Sequence, residues 1–147
     1  MAPPLSSVLD AAAAELTGQL MRTNASVIGH NGGESLVVAE TGWGYTVTAM
    51  LQRMRIAFTV EPRGWLRRSL RIEGTPIELV HRVVDGFHQE RILQLAPLGL
   101  ELGPASLRVE YKYGTDITAA IHLAVSLARR ARHVQTTAGK EARLQTA

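Results

Sequence analysis

The sequence predicts a two-layer α+β domain in which helices pack on one face of a mainly antiparallel sheet of five or six strands. Three segments, 5–22, 76–93 and 116–133, carry apolar residues at three- and four-residue steps, which is the spacing of amphipathic helices. In the segments between them apolar and polar residues alternate, as they do in half-buried strands. Asn, Gly and Pro separate the alternating segments and favour hairpin turns, so neighbouring strands are expected to be antiparallel.

The chain of 147 residues is predicted to form a single α+β domain over residues 1–134, followed by a flexible C-terminal tail at 135–147. A domain of this size buries roughly two thirds of its unfolded surface, which is enough for a core without metals or disulfides. The tail lacks apolar periodicity, and we therefore expect it to be dispensable for folding.

Composition excludes several classes of protein. The chain has no cysteine, which excludes disulfides and thiol catalysis and is typical of a reducing compartment. Asp10 and Glu15 interrupt the apolar stretch near the N-terminus, so we expect no signal peptide. No apolar run approaches the roughly 20 residues that span a bilayer. The sequence therefore predicts a soluble, cytoplasmic protein with no membrane partner.

Two short strands are predicted within residues 24–40, joined by the turn residues Asn31, Gly32 and Gly33. The following segment, 44–54, fits two interpretations. Its first half alternates as a strand does, whereas several of its apolar residues also fit one face of a helix. We expect a strand that begins at residue 44, and the helical alternative stays open.

Residues 54–72 are predicted to form a β-hairpin around the loop Pro62-Arg63-Gly64, in which proline fixes φ and glycine accepts a left-handed conformation. In this register Val60 lies opposite Leu66. A two-residue loop would mix apolar and polar side chains on each face. Because a one-residue slip exchanges the two faces of a strand, the hydrophobic pattern selects the longer loop.

This hairpin places a basic surface on the sheet face that points away from the helices. Residues 52–72 contain six arginines and one glutamate, a local charge of +5 in a chain whose net charge is +3. The predicted partner-binding residues are Arg55, Trp65, Arg67 and Arg71, since tryptophan and arginine are enriched at binding hot spots. The alternative is an ordinary solvated face whose edge arginines discourage aggregation.

The helix predicted over 76–93 has strong start signals. Thr75 is expected to be the N-cap, Pro76 the first helical residue and Glu78 the partner that completes a capping box. The buried stripe is expected to contain Ile77, Val80, Val84 and Phe87.

The polar side of the same helix offers a candidate metal site. His81, Asp85 and His88 follow one another at i, i+4 and i+7, and imidazole with carboxylate is a donor set that suits transition metals. The polar side of any amphipathic helix explains the same spacing. We therefore expect no bound metal, and no feature of the sequence calls for a cofactor.

The remaining elements are a loop over residues 96–104, a half-buried strand over 105–114 and the last helix. Several basic side chains lie near the C-terminal end of that helix, where cations suit the helix dipole: Arg129, Arg130, Arg132 and His133.

No catalytic residue is predicted. None of the serines lies in a G-x-S-x-G elbow, and the chain has no G-x-x-x-x-G-K-[ST] phosphate loop. His30 lies in a glycine-rich turn where it could act as a base, but the sequence places no nucleophile beside it. We expect a protein that is not an enzyme, and a small enzyme ranks third among the function classes.

Nucleic-acid binding is the second class. The basic residues of the predicted face offer phosphate contacts, and Trp65 offers a ring on which a base could stack. Aromatic residues make up only 5% of the chain, however, and no cluster like that of an RNA-recognition sheet is present.

Roughly residues 44–92 share a recognisable layout, in which strands are followed by an arginine-rich strand and then a helix. This region contains the segments GYTVT and RIEGTPIELVHRVVDGF. In these features the chain resembles actinobacterial immunity proteins, those paired with type VII-secreted NAD-glycohydrolase toxins. The resemblance implies stoichiometric binding and occlusion of a toxin, without catalytic residues. The sequence thus predicts a non-catalytic interaction module that presents its basic face to an acidic protein partner, and a homo-oligomer stays possible.

Overall fold

The computed structural model describes residues 5–63 and 69–146. In chain order these residues form α1 (Leu5–Glu15), β1 (Thr17–Arg22), β2 (Ser26–Asn31), β3 (Glu34–Glu40), β4 (Gly44–Met50), β5 (Ala57–Arg63), β6 (Ser69–Thr75), α2 (Ile77–Val83), α3 (Gly86–Leu95), β7 (Gly99–Leu102), β8 (Ser106–Lys112) and α4 (Ile117–Thr146). None of the helices in this part of the chain combines the length and the apolar character needed to cross a membrane.

The strands of the described residues form one antiparallel sheet in the order β1-β2-β3-β4-β8-β7-β5-β6. The α+β class predicted from the sequence is confirmed, but the sheet has eight strands where five or six were expected. The two additional strands are β1, which lies in the predicted first helix, and β7, which lies in the predicted loop at 96–104.

One face of the sheet is covered by the helices and forms the core. An apolar row crosses the sheet from β2 to β6 and consists of Val27, Val38, Val47, Val109, Leu100, Val60 and Ile72. Branched side chains suit such a pleated, buried surface. α4 packs on β4 and β8 in the middle of the sheet, α1 packs on β2 and β3, and α2 and α3 lie against α4 and β6.

The first helix is shorter than predicted, because it ends at Glu15 and not at residue 22. Gly18 has φ +80°, a conformation that glycine adopts easily and that a right-handed helix does not contain. Leu20, an apolar residue within the predicted helix, is exposed on β1. The turn at Gly32 and Gly33 and the strand beginning at residue 44 are as predicted.

The hairpin of β5 and β6 has a different register from the predicted one. Val60 lies opposite Ile72, and Pro62 and Arg63 belong to β5, so they do not form the loop. Residues 64–68 lie outside the described residues. Relative to the prediction the partner of Val60 moves by six positions, from Leu66 to Ile72. An even shift leaves the described side chains of β5 and β6 on their predicted faces, because side chains alternate with period two.

The segment predicted as one helix over 76–93 is interrupted. Thr75 ends β6, Pro76 occupies the N-cap position of α2 without a side-chain cap, and the predicted capping box therefore does not form. A second helix, α3, begins after Asp85, whose side chain accepts a hydrogen bond from the His88 N–H at 3.0 Å. Aspartate is among the best N-cap residues and glycine is a weak helix former, which explains a break at Asp85-Gly86.

The interruption changes which side chains are buried. Phe87, predicted in the apolar stripe, is 61% exposed, and His88 is buried in its place at 5% exposure. Val80 and Val84 are buried as expected, whereas Ile77 is exposed.

α4 continues to Thr146 through the residues predicted to form a flexible tail at 135–147. The Gln135 side chain donates to the Arg53 carbonyl at 3.1 Å and accepts from the Arg55 N–H at 2.6 Å. Glu141 forms an ion pair with Arg82 at 3.6 Å. The segment is rich in good helix formers, which explains why it is helical. It has no apolar stripe, and the contacts of Gln135 and Glu141 connect it to the rest of the domain.

Candidate functional site

The predicted partner-binding residues are not brought together where the structure describes them. Arg71 lies on β6 opposite Glu61, and its guanidinium contacts Glu73. Arg55 precedes β5 at the other end of the hairpin, where its backbone is held by α4. Trp65 and Arg67 lie outside the described residues.

The sheet face that points away from the helices has balanced charge where it is described. Four glutamates and four basic residues of the strands lie on this face: Glu61, Glu73, Glu101 and Glu110, and Arg63, Arg71, Arg108 and Lys112. The described part of this face is therefore mixed in charge and not the basic surface that the hairpin pattern predicts.

Arg55 instead borders a groove of about 550 Å³ between α4 and the segment that precedes β5. Ile56 and Leu79 supply apolar lining, and Arg53 and Arg143 lie along the same groove.

The candidate metal ligands do not form a cluster. His81 is exposed on α2, whereas Asp85 and His88 belong to the start of α3. The alignment at i, i+4 and i+7 required a continuous helix, and the break at Asp85 removes it. No group of three or more potential metal-binding side chains occurs in residues 5–63 and 69–146.

A basic groove of about 630 Å³ lies between α3, α4 and the turn that joins β2 to β3. Its charged and titratable lining residues are His88, Arg91, His122, Arg129, Arg130 and His133. Within the described part of the chain no carboxylate side chain belongs to this lining. A concave surface with one sign of charge concentrates ligands of the opposite sign.

The helix period explains how the sequence builds this groove. His122, Ser126, Arg129 and His133 recur along one side of α4 at three- and four-residue steps. The other side carries buried aliphatic residues that pack on the sheet. Arg91 lies three residues after His88 on α3 and therefore faces the same groove.

Glu34, the first residue of β3, contacts two arginines of α4, Arg129 and Arg132. Its side chain is 2% exposed, forms an ion pair with Arg132 and has Oε1 4.0 Å from Arg129 Nε. The Arg129 guanidinium also donates to the carbonyl of Gly32. These contacts fix the turn between β2 and β3 to α4 and orient the Arg129 side chain along the groove.

Arg130 is held on the other wall of the groove. Its Nε donates to the carbonyl of Arg82 at 2.9 Å and lies 3.8 Å from Asp85 Oδ2. The side chains of Arg91 and His122, in contrast, form no hydrogen bond or ion pair with the residues that the structure describes. The Arg91 guanidinium lies over the ring of Phe87, 5.6 Å from its centre. The groove therefore combines fixed and available positive charge.

Asp85, His88 and Ser126 form a hydrogen-bonded chain, and of these three residues His88 and Ser126 line the groove. His88 Nδ1 lies 2.8 Å from Asp85 Oδ1, and His88 Nε2 lies 2.7 Å from Ser126 Oγ. Burial raises the pKa of Asp85, but the hydrogen bonds from His88 and the charges of His88 and Arg130 outweigh it and hold that pKa below its ordinary value. An ionised carboxylate only accepts hydrogen bonds, which places a proton on Nδ1. In the neutral ring Nε2 then accepts, and the Ser126 hydroxyl donates to it.

Sequence reasoning missed this chain and most of the groove. Thirty-eight residues separate His88 from Ser126, and only the packing of α3 against α4 brings their side chains together. The cluster of basic residues after residue 128 was visible in the sequence, but it was assigned to a helix end, where the dipole would explain it without a ligand. That assignment is wrong, because α4 continues to Thr146 and these residues lie within the helix.

The fold defines this chain as an α+β protein with a broad antiparallel sheet covered by helices on one face. No protein-family model matches the chain, and no curated protein matches it in sequence. Its structure is similar to the crystal structure of the mycobacterial trehalose monomycolate transport factor A, TtfA, with a TM-score of 0.51 and 9% sequence identity. The similarity covers 86% of this chain and 91% of the chain in that crystal structure. At this identity the similarity shows a shared fold and nothing about function.

Proposed function

We propose that this protein is an interaction module whose basic groove binds an acidic segment of a partner protein. The observation that supports the proposal is the convergence of Arg91, Arg129, Arg130 and three histidines on one concave surface, without a carboxylate among the described lining residues. Complementary charge steers association and selects partners of the opposite sign.

The state of the arginines favours binding. Arg129 and Arg130 are held by backbone carbonyls and by Glu34 and Asp85, so they lose little side-chain freedom when a ligand arrives. Arg91 and His122 retain donors for a carboxylate. A partner carboxylate would thus find both oriented and available donors in one place.

Phe87 supplies an apolar anchor at the edge of the groove. Its ring is 61% exposed and stacks with Arg91 of the following helical turn. Aromatic residues beside arginine are enriched at binding hot spots. This pair on α3 takes the role that the sequence predicts for Trp65 and its neighbouring arginines. The proposed contact therefore lies on the helical side of the sheet and not on its open face.

An immunity-type binder is one specific form of this proposal. The resemblance of residues 44–92 to toxin-immunity proteins supports it. The partner would then be a toxin with an acidic surface, held in a one-to-one complex.

The proposal is tested by titrating the protein with a poly-glutamate peptide and with a random-sequence oligonucleotide at two salt concentrations. Arg91→Glu is expected to weaken peptide binding at least about tenfold, which corresponds to about 1.4 kcal/mol. The matched control is Arg108→Glu, which makes the same charge change on the open sheet face and is expected to leave peptide binding unchanged.

Equal loss in both variants would show that net charge alone drives binding, and would contradict a groove site. Binding of the oligonucleotide in place of the peptide, with a steep decline in affinity as salt increases, would establish the nucleic-acid class instead. Affinity purification from the native host with the wild type and Arg91→Glu in parallel then identifies a partner that depends on the groove.

A further inference from the structure

We infer that Ser126 is a nucleophile that cleaves small carboxylate-bearing esters in the basic groove, with His88 as its general base and Asp85 as the residue that orients His88. This activity goes beyond the proposed protein binding and does not depend on it. The inference rests on the connectivity of the three side chains and on where the serine hydroxyl lies.

The proton positions required for a nucleophilic serine follow from the contacts. Asp85 accepts from Nδ1 of His88, which leaves the lone pair of Nε2 for the Ser126 hydroxyl at 2.7 Å. A nucleophile within hydrogen-bond reach of a base, with the base oriented by a third group, is the arrangement that activates serine in hydrolases on unrelated folds.

The position of Ser126 gives it access to a substrate. Its side chain is half-buried and lines the groove of about 630 Å³, a volume that suits a small molecule. His88, in contrast, is 5% exposed, which shields the base from bulk water. The guanidinium groups along the same groove favour a substrate that carries a carboxylate in addition to its ester.

The chemical steps balance without a cofactor. Ser126 Oγ attacks the ester carbonyl carbon while its proton moves to His88 Nε2, and the tetrahedral intermediate then breaks the bond to the alkoxy oxygen. The proton on Nε2 passes to that oxygen, which leaves as an alcohol, and the acyl group remains on Oγ. Water attacks this acyl group, gives its proton to Nε2, and the proton returns to Oγ as the carboxylic acid leaves.

Side chains must stabilise the oxyanion in this site. The N–H of Ser126 lies inside α4, where the helical hydrogen bonds use the backbone donors. His122 lies one turn before Ser126, and Arg91 lies one turn after His88, so both line the groove beside the reacting atoms. The Arg91 guanidinium and a ring N–H of His122 supply the donors that backbone amides supply in the oxyanion hole of other hydrolases.

The test compares two 4-nitrophenyl esters of similar size, the succinate monoester, which carries a carboxylate, and the neutral butyrate ester. The wild type is expected to release 4-nitrophenol from the succinate ester and to form an acyl adduct on Ser126 that mass spectrometry locates. Ser126→Ala is expected to abolish both signals, whereas Ser35→Ala, on the open face of the sheet, leaves them unchanged.

Asp85→Asn separates catalysis from a structural role. Asparagine caps a helix about as well as aspartate, so α3 should remain intact. The amide does not enforce the required tautomer of His88, and kcat should fall by about 10²–10⁴-fold. Arg91→Ala should reduce hydrolysis of the succinate ester more than that of the butyrate ester.

Circular dichroism and thermal unfolding of each variant verify that it is folded. Release of 4-nitrophenol at the same rate by wild type and Ser126→Ala, or an adduct on another residue, would disprove the inference. A folded Asp85→Asn variant with unchanged kcat would also disprove it. Peptide binding is measured separately: its loss in a protein that still forms the Ser126 adduct contradicts only the proposed function.

Discussion

At the scale of single residues, Glu34 is the buried charge on which the groove depends. Its carboxylate lies under the turn between β2 and β3 and contacts both Arg129 and Arg132 of α4. Oε2 of this carboxylate has no hydrogen-bond partner among the described residues. A buried carboxylate is tolerated only when cations and donors compensate its desolvation. The side chains of the two arginines are about half-exposed, which limits the net stabilisation.

We expect Glu34→Gln to lower the free energy of unfolding by about 1–2 kcal/mol, because the amide loses both charge-assisted contacts while the shape is kept. Urea denaturation measures the change. The control is Glu90→Gln on the exposed side of α3, for which a change within about 0.5 kcal/mol is expected. Equal effects of the two substitutions would show that the Glu34 contacts add no stability.

At the scale of elements, the break between α2 and α3 determines which side chains reach the groove. A single helix over 76–93 would bury Phe87 and place His88 on the solvent side. The cap at Asp85 instead begins a new helix, buries His88 and Ile92, and leaves Phe87 beside Arg91. Asp85, which interrupts the predicted helix, therefore also orients the imidazole of His88.

Substitution of Ile92 and of Phe87 distinguishes the broken helix from a continuous one. We expect Ile92→Ala to destabilise the fold by about 2–5 kcal/mol, as truncation of a buried aliphatic side chain does. Phe87→Ala should change stability by less than about 0.5 kcal/mol, because the ring is exposed. Thermal or urea unfolding of both variants measures this, and a large cost for Phe87→Ala would favour the continuous helix.

At the scale of the whole molecule, α4 connects distant parts of the sheet. Its apolar side packs on β4 and β8, and its last turns reach the segment that precedes β5 through Gln135. Gln135, the first residue of the predicted dispensable tail, thus satisfies backbone groups of Arg53 and Arg55. These two hydrogen bonds are exposed to solvent, and a typical intramolecular hydrogen bond contributes about 0.5–1.5 kcal/mol.

Truncation tests this role of the C-terminal segment. Removal of residues 135–147 is expected to lower the melting temperature by about 4 °C or more, since about 1 kcal/mol corresponds to that shift in a domain of this size. Truncation after Gly139 keeps Gln135 and should have a smaller effect. No change in the melting temperature after removal of 135–147 would restore the prediction of a dispensable tail.

Local patterns determined much of the fold. Alternation assigned each side chain of β5 and β6 to the correct face even though the register was wrong, because the difference was an even number of residues. The local sequence is enough to predict the glycine turn between β2 and β3 and the strand that begins at Gly44. In contrast, β1 and β7 have weak local signals and are strands because neighbouring strands pair with them.

By itself the sequence determined the α+β class, the buried faces of the predicted strands and the cluster of basic residues after residue 128. These features repeat at the period of a helix or strand, and such periods are set by backbone geometry within a few residues. The tertiary structure alone decided that α3 packs against α4, and so brought His88 to Ser126 and Glu34 to Arg132. Contacts between residues far apart in the chain depend on how whole elements dock, and periodicity carries no information about that.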